Sequence, residues 1–262
     1  MGIVRDGVQI LSLWLVKRWS TEMQEMAKTI LSVKGLTVNL DGRSILSGLS
    51  FELHAGEMLA IIGPNGAGKT VLLKTLLHIL PYQGEIHWVE SARIGYVPQR
   101  VAADRQLPLS ARDLLNAEAR FLKLSPADIE RAASATDLTP ELLNTNIGIL
   151  SGGQFQKVLI AAALLGRPNV ILFDEPTASL DELTEERVYE LLNRIKEEQG
   201  ITVVLVSHDL SVVYRYATTV LCVGKGRPCF GPPKEVLTPE ALEALYSAPP
   251  KFYQHLQDHH GV

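Results

Sequence analysis

A glycine-rich loop that ends in a lysine carries the clearest chemical signal in this sequence. In the stretch GPNGAGKT, glycines let the backbone curl with its N–H groups pointing inward, and Lys69 and Thr70 follow directly. Backbone donors and an ammonium group suit the phosphates of a nucleotide, while a threonine hydroxyl suits Mg²⁺. A plain glycine-rich turn with an exposed lysine is the alternative. The predicted phosphate-binding residues are Gly63, Pro64, Asn65, Gly66, Ala67, Gly68, Lys69 and Thr70.

Two adjacent carboxylates, Asp174 and Glu175, end an apolar stretch further along the chain. The preceding residues, NVILF, predict a buried strand. At the end of such a strand Asp174 can hold Mg²⁺, and Glu175 can orient and deprotonate an attacking water. A strand that is merely capped by two acidic residues is the alternative, and the upstream loop favours the catalytic interpretation.

A second pair of glycines follows a serine in the stretch ILSGGQFQKVLIAAALL. Ser151 is a predicted helix N-cap, and Gly152 and Gly153 leave backbone donors bare at the start of the helix. These residues predict a second anion site that has no lysine of its own. One chain therefore carries two predicted phosphate-binding sites, which we call the first cradle (residues 63–70) and the second cradle (residues 151–153).

The segments around these motifs predict alternating strands and helices. An apolar stretch, EMLAII, precedes the first loop and an apolar-periodic stretch follows it, so the order is strand, loop, helix. A short predicted strand precedes Gln99, and another apolar strand precedes His208. The segment from Arg100 to about Asn146 is predicted to be helical, with helices that begin at serine caps. The fold class is therefore α/β.

With these motifs in this order, residues 28–235 resemble the nucleotide-binding subunits of ATP-binding cassette (ABC) transporters, whose signature is LSGGQ. The resemblance implies a P-loop NTPase fold of ABC ATPase type. It has a RecA-like core, an antiparallel β-subdomain and an inserted helical subdomain at about residues 100–165. In that family two subunits face head to tail, and ATP lies between the P-loop of one and the signature of the other. A homodimer in the ATP-bound state would thus explain the two cradles.

The resemblance also implies roles for single residues of this chain. Glu175 matches the catalytic base, His208 the switch histidine that contacts the γ-phosphate, and Gln99 the Q-loop glutamine that senses Mg²⁺. The implied metal-binding residues are Thr70, Gln99 and Asp174. The implied partner-facing ATP contacts are Ser151, Gly152, Gly153, Gln154 and the D-loop residue Asp181. Considered alone, His208 would more readily be taken for a capping or surface residue, and Gln99 could equally be an ordinary polar residue after a strand.

The function implied by the resemblance is ATP hydrolysis that powers solute uptake through a membrane permease. The stretches around Gln99 and after His208 look most like the ATPases of zinc, manganese and iron importers. The implied cofactors are ATP and Mg²⁺, and the implied partners are two transmembrane permease subunits and, indirectly, an extracytoplasmic solute-binding protein. The implied location is the cytoplasmic face of the inner membrane, as a peripheral protein. The alternative is a soluble ABC ATPase that assembles partners, as in iron–sulfur cluster assembly. The signature and His208 count against a kinase or GTPase.

Three positions depart from the family pattern. Leu40 stands where the family usually has an aromatic residue that stacks on adenine. Phe155 follows the signature where small or basic residues are common, and Ala162 replaces a frequent arginine. These departures affect predicted nucleotide affinity and dimer contacts rather than hydrolysis.

The composition excludes some classes of function. A net charge of −4 and a pI of about 6.0 argue against a nucleic-acid partner, which requires clustered basic residues. Cys222 and Cys229 flank a glycine-rich turn, so we expect them to pack as reduced thiols in a hairpin rather than to form a disulfide or zinc site. No apolar run reaches the roughly 18 residues of a membrane span.

Both ends of the chain fall outside the motif-bearing part. Residues 1–27 are interpreted as a dispensable extension, with Met23 and Met26 as alternative starts and an interfacial helix as the other interpretation. Residues 236–262 predict a helix and then a histidine-containing tail. The ending HLQDHH would bring His255 and His259 to one helix face, yet we favour a solvated tail over a metal site.

Overall fold

The computed structural model describes residues 29–99, 108–175, 180–224 and 229–246. The strands are β1 (Thr29–Leu40), β2 (Arg43–His54), β3 (Met58–Ile62), β4 (Gln83–Trp88), β5 (Ile94–Val97), β6 (Val170–Asp174), β7 (Thr202–Val206), β8 (Thr219–Cys222) and β9 (Phe230–Gly231). The helices are α1 (Lys69–Leu76), α2 (Ala111–Phe121), α3 (Pro126–Ala135), α4 (Pro140–Leu143), α5 (Gly152–Leu164), α6 (Glu182–Gln199), α7 (Leu210–Tyr216), α8 (Pro233–Val236) and α9 (Pro239–Tyr246).

Within these ranges six strands form the central sheet, in the order β5-β6-β7-β3-β8-β9. All neighbours pair in parallel except β8 and β9. Every residue of β3, β6 and β7 is buried, as expected for parallel strands that are covered on both faces. Val206 pairs with both Ile61 and Asp174. The carboxyl ends of these three strands therefore meet at one edge of the sheet, which is where α/β proteins bind ligands.

A smaller antiparallel sheet, in the order β2-β1-β4, covers one face of the central sheet together with α1. One apolar cluster joins Leu31 and Leu53 of the small sheet to Leu72 of α1 and Leu172 of β6. The antiparallel sheet is thus anchored directly over the strand that ends in the two carboxylates.

Helices α2 to α5 occupy residues 111–164 and pack in a second cluster, which includes Leu115, Val158 and Phe173. Ser110 and Ser125 form capping boxes at the starts of α2 and α3, as the sequence predicts. Hydrogen bonds from the Ser125 hydroxyl and from the Arg167 guanidinium lower the pKa of Asp128 to about 2. That carboxylate thus caps α3 and also ties it to the end of α5.

The C-terminal part packs under β3 in a third cluster, which includes Ile62, Leu237 and Leu242. The predicted hairpin is present, since the Cys222 N–H donates to the Cys229 carbonyl at 2.8 Å. The expectation of two reduced thiols is wrong, because the structure joins Cys222 and Cys229 in a disulfide. Cys229 directly precedes β9 and lies opposite Cys222 at the end of β8, which brings the two sulfurs together.

The predicted extension at residues 1–27 and the histidine tail lie outside the described residues. Among the helices of the described ranges, none is both long and apolar enough to cross a membrane.

Candidate nucleotide site

The glycine-rich loop connects β3 to α1, in the predicted order of strand, loop and helix. Gly63 has φ +151°, and a Cβ atom there would collide with the carbonyl oxygen of Val223. Gly68 has φ +100°, and its Cβ would lie 2.8 Å from Ile45 Cγ2 of the small sheet. Only glycine fits at either position. The loop is therefore closely packed from outside, which fixes the direction of its backbone donors.

Lys69 is the first residue of α1 and is only 6% exposed. Its Nζ donates to the carbonyl oxygens of Gly63, at 2.9 Å, and Pro64, at 3.2 Å. It also lies 3.4 Å from Glu175 Oε1. The ammonium group is thus held by the loop's own carbonyls and by the carboxylate of Glu175, the residue after β6.

Asp174 lies at the end of β6 and is 2% exposed. The Thr70 hydroxyl donates to its Oδ1 at 2.9 Å, and the Tyr96 hydroxyl lies 3.3 Å from Oδ2. Burial raises the pKa of Asp174, while these two hydrogen bonds oppose part of the rise. A hydroxyl and a carboxylate side by side form the hard oxygen pair that Mg²⁺ prefers, so these residues fit that ion.

Glu175 directly follows β6 and is held between two partners. Gln99 Nε2 donates to Glu175 Oε2 at 2.7 Å, while the other carboxylate oxygen faces Lys69. Its backbone has φ +47°, a conformation that costs a residue other than glycine roughly 1–2 kcal/mol. Such strain is common at functional sites, and here it turns consecutive carboxylates toward different partners.

Tyr96 contacts the site although no sequence motif pointed to it. It lies on β5, which pairs with β6, and its hydroxyl reaches the Asp174 carboxylate. Burial and the nearby carboxylate raise the pKa of Tyr96 to about 12, so the hydroxyl stays protonated and keeps its donor. The signal that could have found it is its place three residues before Gln99, in the strand that carries that glutamine to the site.

The second cradle lies at the start of α5. Ser151 caps this helix, its Oγ accepts the Gln154 N–H at 3.2 Å, and Gln154 Oε1 accepts the Ser151 N–H at 2.9 Å. A Cβ on Gly152 would lie 2.5 Å from Leu180 Cδ2, and a Cβ on Gly153 would lie 2.5 Å from Thr184 Cγ2. The glycines therefore allow α5 to approach the start of α6 closely.

Asp181 is the N-cap of α6. Its carboxylate accepts both the backbone N–H and the hydroxyl of Thr184, at 3.0 and 2.8 Å, and these bonds lower its pKa. Thr184 therefore links the predicted D-loop residue to Gly153 of the signature.

The structure brings some predicted residues together and leaves others apart. Two sets of contacts lie side by side at the edge of the sheet: Lys69 and Gln99 both contact Glu175, and Thr70 contacts Asp174. His208 follows β7 at the same edge but is exposed, and within the described ranges it makes no hydrogen bond or ion pair. In the same part of the chain no hydrogen bond joins the signature, residues 151–154, to the loop, residues 63–70.

A groove of about 580 Å³ lies along the outside of the loop. Its lining residues come from β2, the loop, the end of β8 and helix α9, and they are Ser44, Ile45, Leu46, Ser47, Leu49, Pro64, Asn65, Gly66, Ala67, Cys222, Val223, Gly224, Leu245 and Tyr246. Leu40, the residue at the predicted base-stacking position, does not line this groove. It is half-buried and packs against the cluster of the antiparallel sheet.

Comparison with known proteins agrees with this arrangement. The sequence pattern of the ABC transporter family matches residues 46–178. The zinc import ATP-binding protein ZnuC of Ruegeria pomeroyi is 38% identical over 222 residues, which are 84% of this chain and 85% of the relative. ZnuC of Pseudomonas entomophila is 33% identical over 242 residues, 89% of this chain and 91% of the relative.

Solved structures give the same result. A structure described as an inward-facing ABC transporter of metal-chelate type matches with a TM-score of 0.77 and 32% identity, covering 85% of this chain and 90% of that one. The cbiO1 protein of Clostridium perfringens, part of the ABC transporter complex cbiONQ, matches with a TM-score of 0.72 and 29% identity, covering 88% and 99%. The chain therefore belongs to the ABC transporter family, as an ATP-binding subunit that hydrolyses ATP.

Proposed function

We propose that this chain is the ATPase of an importer for a divalent metal ion, zinc or manganese. Two copies would close around ATP, drive two permease chains, and act on cargo that an extracytoplasmic binding protein delivers. The subunit would work at the cytoplasmic face of the inner membrane. The contacts of Lys69 and Gln99 with Glu175, and of Thr70 with Asp174, carry the proposal, because they bring together side chains suited to phosphate binding, Mg²⁺ binding and activation of water.

Binding of ATP would begin with a change of partners at Lys69. Its ammonium group now contacts two loop carbonyls and Glu175, and triphosphate oxygens would replace these contacts with stronger charge-assisted bonds. The loop's N–H groups and the start of α1 would bind the same phosphates. Once Lys69 moves to the nucleotide, Glu175 loses its cationic neighbour and becomes available as a base.

Hydrolysis would then use Glu175 to position and deprotonate a water molecule. The water oxygen forms a bond to the γ-phosphorus, the bond from that phosphorus to the ADP oxygen breaks, and the water proton passes to the Glu175 carboxylate. Gln99 holds the same carboxylate and would orient it toward the water. His208, exposed at the same edge, is free to contact the γ-phosphate.

Mg²⁺ is the proposed second cofactor. Thr70 and Asp174 would hold it, with Gln99 nearby, and the ion would neutralise charge on the β- and γ-phosphates. The 2.9 Å contact between the Thr70 hydroxyl and Asp174 supports this assignment, because two oxygen ligands already lie together. Tyr96 would keep the Asp174 carboxylate oriented toward Thr70.

Dimerisation around ATP is supported by the second cradle. Ser151, Gly152 and Gly153 begin a helix that has no cation in its first turn. The negative charge of a phosphate bound there would therefore be balanced by cations of the copy that holds the nucleotide. Two large apolar side chains lie exposed beside the same motifs: Ile149 is 78% exposed and Leu183 is 60% exposed. Such residues next to a motif favour burial against a second subunit.

The cargo assignment is supported by the relatives that are named zinc import ATP-binding proteins. It can be tested in a strain that lacks the gene and grows on limiting zinc or limiting manganese. Wild-type chain should restore growth in one of the two media, and Glu175→Gln should restore it in neither. Co-purification should recover permease chains with the wild type. Recovery of only soluble partners would favour an assembly ATPase instead, and restoration by the inactive variant would contradict a role for hydrolysis in uptake.

A further inference from the structure

The C-terminal helix α9 packs against the start of the phosphate-binding loop. A Cβ atom on Gly224 would lie 3.0 Å from Leu245 Cδ1 and 3.4 Å from Pro64 Cδ, so Gly224 is wedged between the helix and the loop. Leu245 and Tyr246 line the same groove as loop residues 64–67. The loop therefore rests on a helix that lies far from it in sequence.

Tyr246 brings a polar group to this contact. Its ring packs in the third apolar cluster, and in the described part of the chain the proton of its buried hydroxyl has no acceptor. Burial raises the pKa of Tyr246, and the Gly63 backbone N–H, which faces the hydroxyl oxygen, offsets part of that rise. A buried hydroxyl proton without an acceptor is unfavourable, so any state of the protein that supplies an acceptor is favoured.

The adjacent carbonyls are occupied by Lys69. Its Nζ takes the Gly63 oxygen at 2.9 Å and the Pro64 oxygen at 3.2 Å. An ammonium group drawn onto phosphate oxygens leaves at least one of these carbonyls without its donor. When Lys69 moves to phosphate, a loop carbonyl therefore becomes free to accept a hydrogen bond from the Tyr246 hydroxyl.

We propose that Tyr246 is a positioning residue for nucleotide binding, whose hydroxyl donates to the Gly63–Pro64 turn once phosphate draws Lys69 away. This inference rests on the proposed role of Lys69. Helix α9 then stabilises the nucleotide-bound form of the loop more than the empty form. Because the contact concerns the phosphate end alone, it strengthens the binding of ATP and GTP by the same factor.

The matched pair Tyr246→Phe and Tyr214→Phe tests the proposal. Tyr214 lies in the same cluster, but its hydroxyl already donates to the Leu237 carbonyl at 2.9 Å. We expect Tyr246→Phe to weaken ATP and GTP binding equally, by about two- to tenfold, while the melting temperature without nucleotide stays level or rises. We expect Tyr214→Phe to lower the melting temperature and leave the ATP dissociation constant unchanged.

Calorimetric titration and thermal melting of full-length protein give both quantities. ATP affinity within the error of wild type in Tyr246→Phe overturns the proposal, and so does a parallel loss of affinity and melting temperature in both variants. The role of Lys69 is judged separately with Lys69→Ala. If Lys69→Ala binds ATP as tightly as wild type, the proposed nucleotide site is wrong. If Lys69→Ala binds ATP more weakly while Tyr246→Phe keeps wild-type affinity, only the inference about Tyr246 is refuted.

Discussion

The two phosphate cradles begin helices in similar ways but differ in their surroundings. Helix α1 starts after Gly68, which offers no side-chain cap, so the loop's donors stay available to a ligand. Helix α5 starts after Ser151, whose capping box with Gln154 satisfies two donors within the protein. The backbone donors of the first cradle are thus available to a ligand, whereas some donors of the second are already bonded within the protein.

Charge separates the cradles further. Lys69 lies inside the first cradle and contacts Glu175, the residue that follows Asp174. The second cradle opens with uncharged residues, and Lys157 further along α5 pairs instead with Asp137 at 3.9 Å. One chain therefore holds one phosphate site with its own cation and one without. In the proposed dimer, the second site would act on a nucleotide that another copy has already bound.

The largest effect should come from Glu175→Gln. The amide keeps the size of the side chain but cannot accept a proton, so hydrolysis should fall by about 10²- to 10⁴-fold. Because both cradles are intact, ATP with Mg²⁺ should hold the variant as a dimer in size-exclusion chromatography. Turnover at the wild-type rate would refute the assignment of the base.

Lys69→Ala should damage the first cradle alone. Loss of a charged hydrogen-bond donor costs about 1.5–3 kcal/mol, roughly a 10- to 150-fold loss of ATP affinity. Titration with a fluorescent ATP analogue measures this directly. Lys196→Ala is the control, since Lys196 pairs with Glu197 on α6 away from the loop. Equal affinity in the two variants would contradict the phosphate site.

Gly153→Val should damage the second cradle alone. The added side chain meets Thr184, whose Cγ2 would lie only 2.5 Å from the new Cβ. Overpacking of this kind lowers the free energy of unfolding by about 1–3 kcal/mol, and the displaced signature should weaken closure of the dimer around ATP. ATP binding to the monomer should stay near wild type while hydrolysis falls. A loss of monomer affinity would mean that the two cradles are not independent.

The sequence predicts the buried strands and the helix starts, because both depend on residues close together in the chain. The buried strands β3 and β6 are apolar runs that end at turn or acidic residues, and Ser110, Ser125 and Ser151 mark helix starts by capping. Each of these signals lies within a few residues of the element it defines. The order of the motifs then indicates the family.

Contacts between distant segments could not be predicted in this way. Tyr96 reaches Asp174 only because β5 and β6 pair in register, and Tyr246 reaches the loop only because α9 folds under β3. The disulfide was missed for a related reason. Two cysteines are too few for a disulfide framework, but the predicted hairpin makes Cys222 and Cys229 direct neighbours, which is enough for a single bond.

The smallest effect should come from a substitution at the predicted base-stacking position, because the base has fewer predicted contacts with the protein than the phosphates have. Leu40 stands where the family resemblance expects an aromatic ring, and it is half-buried against the antiparallel sheet. Stacking of a base on an aromatic ring is worth about 1–3 kcal/mol in nucleic-acid complexes, and leucine provides only apolar contact. Leu40→Tyr should therefore tighten ATP binding by up to roughly tenfold if the new ring leaves the cluster and reaches adenine.

Leu40→Tyr can be compared with Asn39→Tyr, because Asn39 is exposed and neighbouring residues of a strand point to opposite faces. Titration with ATP and GTP should show weak preference between the bases in the wild type, since phosphate contacts do not distinguish them. The gain in Leu40→Tyr should be absent from Asn39→Tyr. Strong ATP preference in the wild type, with no gain in Leu40→Tyr, would mean that another residue, from this chain or its partner copy, already contacts the base. The base end would then be as well specified as the phosphate end.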